Sequence, residues 1–106
     1  MHKYCYIFWT AKDQEEAKKI VKELLDKKWI ACASIFPEVT SLFLWKGKME
    51  EEKEAKVLLK TFSKNFTKIC SWIEKRASYE VSEILQVPIQ EGSSGYLAWI
   101  DEMLEV

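Results

Sequence analysis

The sequence predicts an α+β sandwich: elements in the order β-α-β-β-α-β plus a C-terminal helix, the ferredoxin-like arrangement with both main helices on one face of an antiparallel sheet. Three observations predict it. Apolar residues fall at helical spacing in two segments, 17–25 and 66–73. Extended segments rich in aromatic and aliphatic residues alternate with them. The two longest of these join through Lys46-Gly47-Lys48, a tight turn that makes a long hairpin.

Each element has its own signals. Residues 4–10 (Tyr-Cys-Tyr-Ile-Phe-Trp-Thr) favour a strand. Asp13 then opens a helix, with Glu16 placed to reach back as in a capping box. Ala17, Ile20, Val21, Leu24 and Leu25 form its apolar stripe. Glu15 and Glu16 suit its first turn, and Lys27 and Lys28 its last. A second strand is expected from Ile30 to Phe36, interrupted by Pro37 and resumed from Val39 to Trp45. The return arm runs from Met49 to Phe62. Helix two begins near Ser63, with Phe66, Ile69, Cys70 and Ile73 on one face. A last strand spans 83–89, and Ser93 or Ser94 caps a terminal helix with Leu97, Ile100 and Leu104 inward. Nothing marks a linker or repeat, so residues 1–106 are expected to form a single domain.

Composition narrows the function classes. Sixteen Lys and Arg against seventeen Asp and Glu leave a net charge of -1, which argues against a nucleic-acid partner. No apolar run approaches the roughly 18 residues of a membrane span. Met1-His2-Lys3 leads directly into a strand with no signal-peptide pattern, so the expected compartment is the cytoplasm and no membrane partner is expected. Cys5, Cys32 and Cys70 are an odd number, too widely spaced for a disulfide framework or a CxxC motif. No Ser-His-Asp or Cys-His set can be assembled from the single His2, and no P-loop or HExxH occurs, so the chain is read as non-enzymatic.

An antiparallel sheet with one wet face should alternate apolar and polar residues. Here Tyr4, Tyr6 and Phe8 lie on one side of the first strand, and Cys5, Ile7 and Trp9 on the other. Phe43 and Trp45 oppose Leu42 and Leu44 in the hairpin. Ala55, Val57 and Leu59 oppose a mixed face of Lys56, Leu58, Lys60 and Phe62. Leaving several such side chains in water forfeits about 1.5–3 kcal/mol each. A homo-oligomer is therefore expected.

Several stretches together resemble the CutA divalent-cation tolerance family. They are Ile30-Ala31-Cys32-Ala33-Ser34-Ile35, Trp45-Lys46-Gly47-Lys48, Leu59-Lys60-Thr61, Ala77-Ser78-Tyr79-Glu80-Val81-Ser82-Glu83-Ile84, and Pro88-Ile89 with Tyr96-Leu97-Ala98-Trp99. The resemblance covers nearly the whole chain. It implies a cytoplasmic trimer like that of the PII signalling proteins, linked to tolerance of copper or other divalent metals. It also implies a cleft between subunits around the matching Lys60, Tyr79, Glu80 and Glu83, able to take a small anion, metabolite or metal. The positions credited with copper ligands elsewhere in the family are Trp9, Arg76 and Ala77 here, none of which is a copper ligand. A Cu2+ cofactor is thus implied by the family and opposed by these residues.

Other residues carry two readings each. Cys32 is a soft-metal ligand or a core thiol, the commoner fate of a free cysteine. Glu50, Glu51, Glu52 and Glu54 could gather a hard cation. As strand residues they should point to alternate faces and act as charges guarding an exposed arm. Trp45 is a ligand platform or an interface anchor. The Lys60, Tyr79 and Glu80 set reads equally as an inter-subunit ion pair beside a satisfied tyrosine. The competing function is a PII- or ACT-like module binding a small metabolite. RNA binding through sheet aromatics lacks the basic charge it needs.

Overall fold

The computed structural model describes residues 2–105. Strand β1 (Tyr4–Ala11) leads to helix α1 (Gln14–Asp26), strands β2 (Cys32–Trp45) and β3 (Lys48–Phe62), helix α2 (Phe66–Arg76), strand β4 (Ile84–Pro88) and helix α3 (Ser94–Leu104). The strands make one antiparallel sheet in the order β2-β3-β1-β4. This is the predicted order, and the hairpin stretches the molecule to 44 Å along one axis against 26 and 22 Å along the others.

Period-two alternation builds the core. Cys5, Ile7 and Trp9 on β1 share a face with Val57 and Leu59 on β3, and all are fully buried. Ala17, Ile20 and Leu24 of α1 and Ile69 and Ile73 of α2 close over them. Helix α2 is entered through a 3₁₀ turn, Ser63–Asn65, so the α-helix proper starts three residues later than expected. Phe66 and Cys70 lie at the margin of its stripe, only partly buried.

The ends of α1 obey capping chemistry, with two differences from expectation. Asp13 accepts the Glu16 amide at 2.8 Å, but the Glu16 carboxylate turns back to the amide of Lys12 at 3.0 Å rather than to Asp13. The helix stops at Asp26, so Lys27 and Lys28 lie beyond its last turn. Lys28 takes the left-handed conformation, φ +58°. That lets Lys28 and Trp29 donate to the carbonyls of Leu25 and Leu24 at 3.0 and 3.1 Å, which are otherwise orphaned.

Strand boundaries move by a residue or two. β2 begins at Cys32 rather than Ile30, although the Ala31 amide already donates to the Lys60 carbonyl at 2.8 Å. β4 is shorter than 83–89, yet flanking bonds from Thr10 N to Glu83 O and from Ile89 N to Tyr4 O extend its ladder at both ends. The hairpin turn is Lys46-Gly47, with φ +52° and +81°. Positive φ at both positions is the type I′ geometry that matches strand twist, and glycine meets it without strain.

Pro37 does more than interrupt β2. Phe36 pairs with Lys56 and Val39 with Glu54, so β2 uses one more residue than β3 across this step. The resulting bulge reverses the parity of the strand. Cys32, Ser34 and Phe36 face the helix-free side, and beyond the bulge the odd-numbered Val39, Ser41, Phe43 and Trp45 take that side over.

Helix α3 covers one end of this second face, burying Ile100 against Phe62 and Ala31. The Tyr4 hydroxyl donates to Asp101 at 2.9 Å, and Lys3 bridges Asp101 and Glu105 at 3.0 and 3.1 Å. Ser93 holds the N-cap position with extended backbone, but its side chain makes no capping bond, contrary to expectation. The rest of the face stays open: Phe36 is 50% and Leu85 52% exposed.

A carboxylate-lined cleft beneath the hairpin

Pairing register assembles the candidate site. Residues paired directly across an antiparallel ladder share a face. Phe43 is opposite Glu50, Ser41 opposite Glu52, Val39 opposite Glu54, and Lys56 opposite Thr10 of β1. One long row therefore runs up the hairpin on the helix-free side. The loop after α2 brings Tyr79, Glu80, Val81 and Glu83 against it. Between them lies a cleft of about 780 Å³, lined also by Trp45, Lys12 and Lys53. Glu16 helps fix the loop: its second oxygen accepts the Ser78 amide at 2.9 Å and the Ser78 hydroxyl at 2.5 Å.

At the base of the cleft Lys56 donates to Glu83 at 2.5 Å and to the Thr10 hydroxyl at 2.8 Å. Thr10 in turn donates to Glu83 at 2.5 Å. The Lys56 ammonium, and secondly the Thr10 hydroxyl, hold the Glu83 carboxyl below the usual glutamate range, against the opposing effect of burial. Burial, and then the neighbouring Glu54 carboxylate, push the Tyr79 phenol well above its ordinary range, with Glu52 and Glu16 adding to the effect. Tyr79 is consequently a neutral hydroxyl at working pH. Glu54 is 8% exposed and lines the cleft.

Trp45, Tyr79, Glu80 and Glu83, singled out from the sequence, all line this one cleft. Lys60 does not. It lies four residues further along β3, on the order of 13 Å away, paired with Tyr6 and Cys32, and donates to the Ser34 hydroxyl at 3.3 Å. In a single chain the lysine at the base of the cleft is Lys56. Sequence reasoning missed Lys56 and Thr10, and weighed Glu54 only among the hairpin glutamates. The signal for Lys56 was present, because it shares the period-two mixed face with Lys60. The expected dispersal of the hairpin glutamates holds only for Glu51; Glu50, Glu52 and Glu54 are two residues apart and share the cleft face.

The residues at the family's copper positions do not fit copper. Trp9 is fully buried in the core and offers an indole N–H, not a lone pair. The Arg76 guanidinium stacks 3.2 Å from the Trp72 ring centroid and lies 3.7 Å from Glu23. Ala77 has only a methyl group. Among the described residues no three His, Cys, Asp or Glu side chains converge as a metal site. Cys32 is partly buried on the helix-free face, its sulfur 3.5 Å from the Tyr96 hydroxyl. Burial, and then that thiol, push the Tyr96 phenol up to about 12.

The sheet order, the long hairpin and the cleft below it define a small α+β, ferredoxin-like protein with one sheet face left partly bare. The chain belongs to the CutA1 divalent ion tolerance protein family, whose model matches residues 5–103. It is 41% identical over 105 residues to the divalent-cation tolerance protein CutA of Archaeoglobus fulgidus, covering 99% of this chain and 100% of that one. It is 32% identical over 98 residues to human Protein CutA, covering 92% of this chain but only 55% of the human one. Among solved structures, the A. fulgidus protein, described as a periplasmic divalent cation tolerance protein, superposes with a TM-score of 0.91 at 38% identity, covering 95% of this chain and 98% of that one. CutA1 from Shewanella sp. SIB1 gives a TM-score of 0.93 at 27% identity over 99% and 98%. No helix of the described residues is long and apolar enough to cross a membrane.

Proposed function

We infer that the chain acts, as one domain, in a homotrimer: a non-enzymatic binding or signalling protein in the response to divalent metal ions. Its ligand site is the cleft holding Trp45, Tyr79, Glu80 and Glu83, with Lys60 brought to it from a neighbouring subunit. The observation that carries the assembly is the bare apolar surface. Leu44 and Met49 near the hairpin tip are 73% and 78% exposed, and Phe36 and Leu85 half exposed on the sheet. Burying each such side chain between copies gains about 1.5–3 kcal/mol. The three free cysteines suit the reducing cytoplasm.

On this reading the response to metal does not run through a copper centre at Trp9, Arg76 and Ala77. Any soft-metal binding falls to Cys32, completed by ligands from another copy. Light scattering coupled to size exclusion at micromolar concentration tests the assembly, and a mass three times that of the 12.5 kDa chain is expected. A stable monomer overturns it. The volume of the cleft, about 780 Å³, and its aromatic wall favour a second reading, a PII- or ACT-like module whose ligand is a metabolite. Thermal-shift screening with divalent metals, amino acids and nucleotides separates the two.

A further inference from the structure

We propose that Ser78 is a phosphorylation site, modified by a protein kinase that reads basic residues, and that the phosphoryl group re-sets the loop forming one wall of the cleft. The modification stands on Ser78 and its neighbours; its effect on binding rests on the cleft being the ligand site.

Exposure and sequence context are the first argument. Ser78 is exposed, in irregular chain just after α2. Lys75 and Arg76 precede it by three and two positions, and no other serine or threonine of the chain has basic residues at both. A kinase recognises such a pair by seating the two cations against carboxylates of its own substrate groove. Lys75 and Arg76 belong to the last turn of α2, where a helix frays most readily. Ser78 and the cations before it are therefore available to be drawn out as an extended segment.

The way the loop is held is the second argument, and it is independent of the first. One Glu16 oxygen accepts the Ser78 amide at 2.9 Å and the Ser78 hydroxyl at 2.5 Å, while the other accepts the Lys12 amide at 3.0 Å. Among the described residues the amides of Tyr79, Glu80, Val81 and Ser82 make no hydrogen bond. The main chain of the loop is gripped only at Ser78 and at Glu83, whose carbonyl accepts the Thr10 amide at 3.2 Å. Releasing Ser78 frees the two residues that follow it, Tyr79 and Glu80, and both line the cleft.

The chemistry inverts the contact. The kinase transfers the γ-phosphoryl group of ATP to the Ser78 Oγ. The bond from phosphorus to the β,γ-bridging oxygen breaks, an Oγ–phosphorus bond forms, the hydroxyl proton passes to the kinase's base and ADP leaves. A hydroxyl donor becomes a group carrying a charge of about −1.5 to −2, with strong acceptor oxygens. The Glu16 carboxylate that accepted the hydroxyl then faces like charge. Three cations, Lys12, Lys19 and Arg76, line the groove that Ser78 and Glu16 share. Arg76 has Glu23 at 3.7 Å and Lys12 has Asp13 at 3.9 Å, whereas Lys19 pairs with no carboxylate among the described residues. The phosphoryl group exchanges Glu16 for Lys19 and Lys12, and the loop turns with it.

Incubating the full-length chain with ATP, Mg²⁺ and the catalytic subunit of cyclic-AMP-dependent protein kinase tests the modification, read by mass spectrometry. One phosphoryl group on Ser78 is expected, with none on a Ser78→Ala variant and a rate roughly tenfold lower in Arg76→Ala. Circular dichroism establishes that each variant is folded. A crystal structure of the modified chain tests the consequence. It should show phosphoryl oxygens bonded to Lys19 or Lys12, the Ser78 amide parted from Glu16, and Tyr79 and Glu80 displaced from the cleft wall. Ser78→Ala keeps the amide bond to Glu16 and should leave that wall in place. No phosphate on Ser78, or a phosphorylated Ser78 with Tyr79 still seated against Glu54, overturns the proposal. None of these readouts needs a ligand. A trimer that is never modified sinks only this proposal, and a modified chain with its loop turned that runs as a monomer in light scattering sinks only the assembly.

Discussion

Lys56 and Glu83 lie 27 residues apart and meet at 2.5 Å, with the Thr10 hydroxyl bonded to both. The contact ties three separately placed segments together at the base of the cleft: β3, β1 and the end of the loop after α2. It is the point where the sheet meets the wall formed by Tyr79, Glu80 and Val81.

Glu83→Gln is expected to lower stability near neutral pH by about 1 kcal/mol, a modest figure because the Glu83 side chain is 45% exposed and its ion pair is screened. The pH dependence has a definite sign. The folded-state pKa of Glu83 is depressed below its ordinary value of 4.5. Its contribution is therefore complete above that value and is lost as pH falls through the lower, folded value. Urea melts at pH 7 and at stepped lower pH should show the gap between wild type and Glu83→Gln closing on acidification. A gap that stays constant down to the acid transition would contradict the assignment.

Deleting Pro37 should remove the bulge and leave the distal half of β2 on its present faces. The bulge between Phe36 and Val39 sets which residues face the cleft, since side-chain direction in a strand has period two. Without the extra residue Phe36, Glu38 and Val39 alternate regularly opposite Lys56, Ala55 and Glu54, so Phe43 and Trp45 stay on the cleft face. Pro37→Ala keeps the residue count, and the cost of that change is expected to stay within about 1 kcal/mol because Pro37 is exposed. A crystal structure of the deletion variant with Leu42 and Leu44 turned to the cleft would refute the role given to the bulge.

Trp9 fills the core with an indole N–H that has no hydrogen-bond partner among the described residues. Trp9→Phe loses some buried area but also removes an orphaned donor whose desolvation costs about 1–3 kcal/mol. The two effects offset, so the net change in urea melts is expected to be no more than about 1.5 kcal/mol. Trp9→Ala leaves a cavity and should cost about 3–5 kcal/mol. Equal losses in the two variants would show that the indole nitrogen is satisfied after all.

Local chemistry was legible wherever neighbours in sequence are neighbours in space. The Asp13 cap, the stripe from Ala17 to Leu24, the Lys46-Gly47 turn and the inward alternation of Cys5, Ile7 and Trp9 follow from the order of residues alone. So does the doubly apolar character of the central strands, because a period-two pattern states which residues share a side. Tyr79, Glu80 and Glu83 could be picked out together because they sit within five positions of one another. What the order of residues could not settle was the parity of β2 beyond Pro37. A proline announces an interruption but not whether it inserts a residue into the ladder, and that count decides the face of every residue up to Trp45. Nor could it choose between Lys56 and Lys60, which share a strand face and differ only in what crosses opposite them. Only the packed sheet, which sets Thr10 and the loop after α2 against Lys56 and leaves Lys60 beside Ser34, made that choice. The physical reason is that a long-range contact depends on the registers of three strands at once, and no single stretch of chain contains more than one of them.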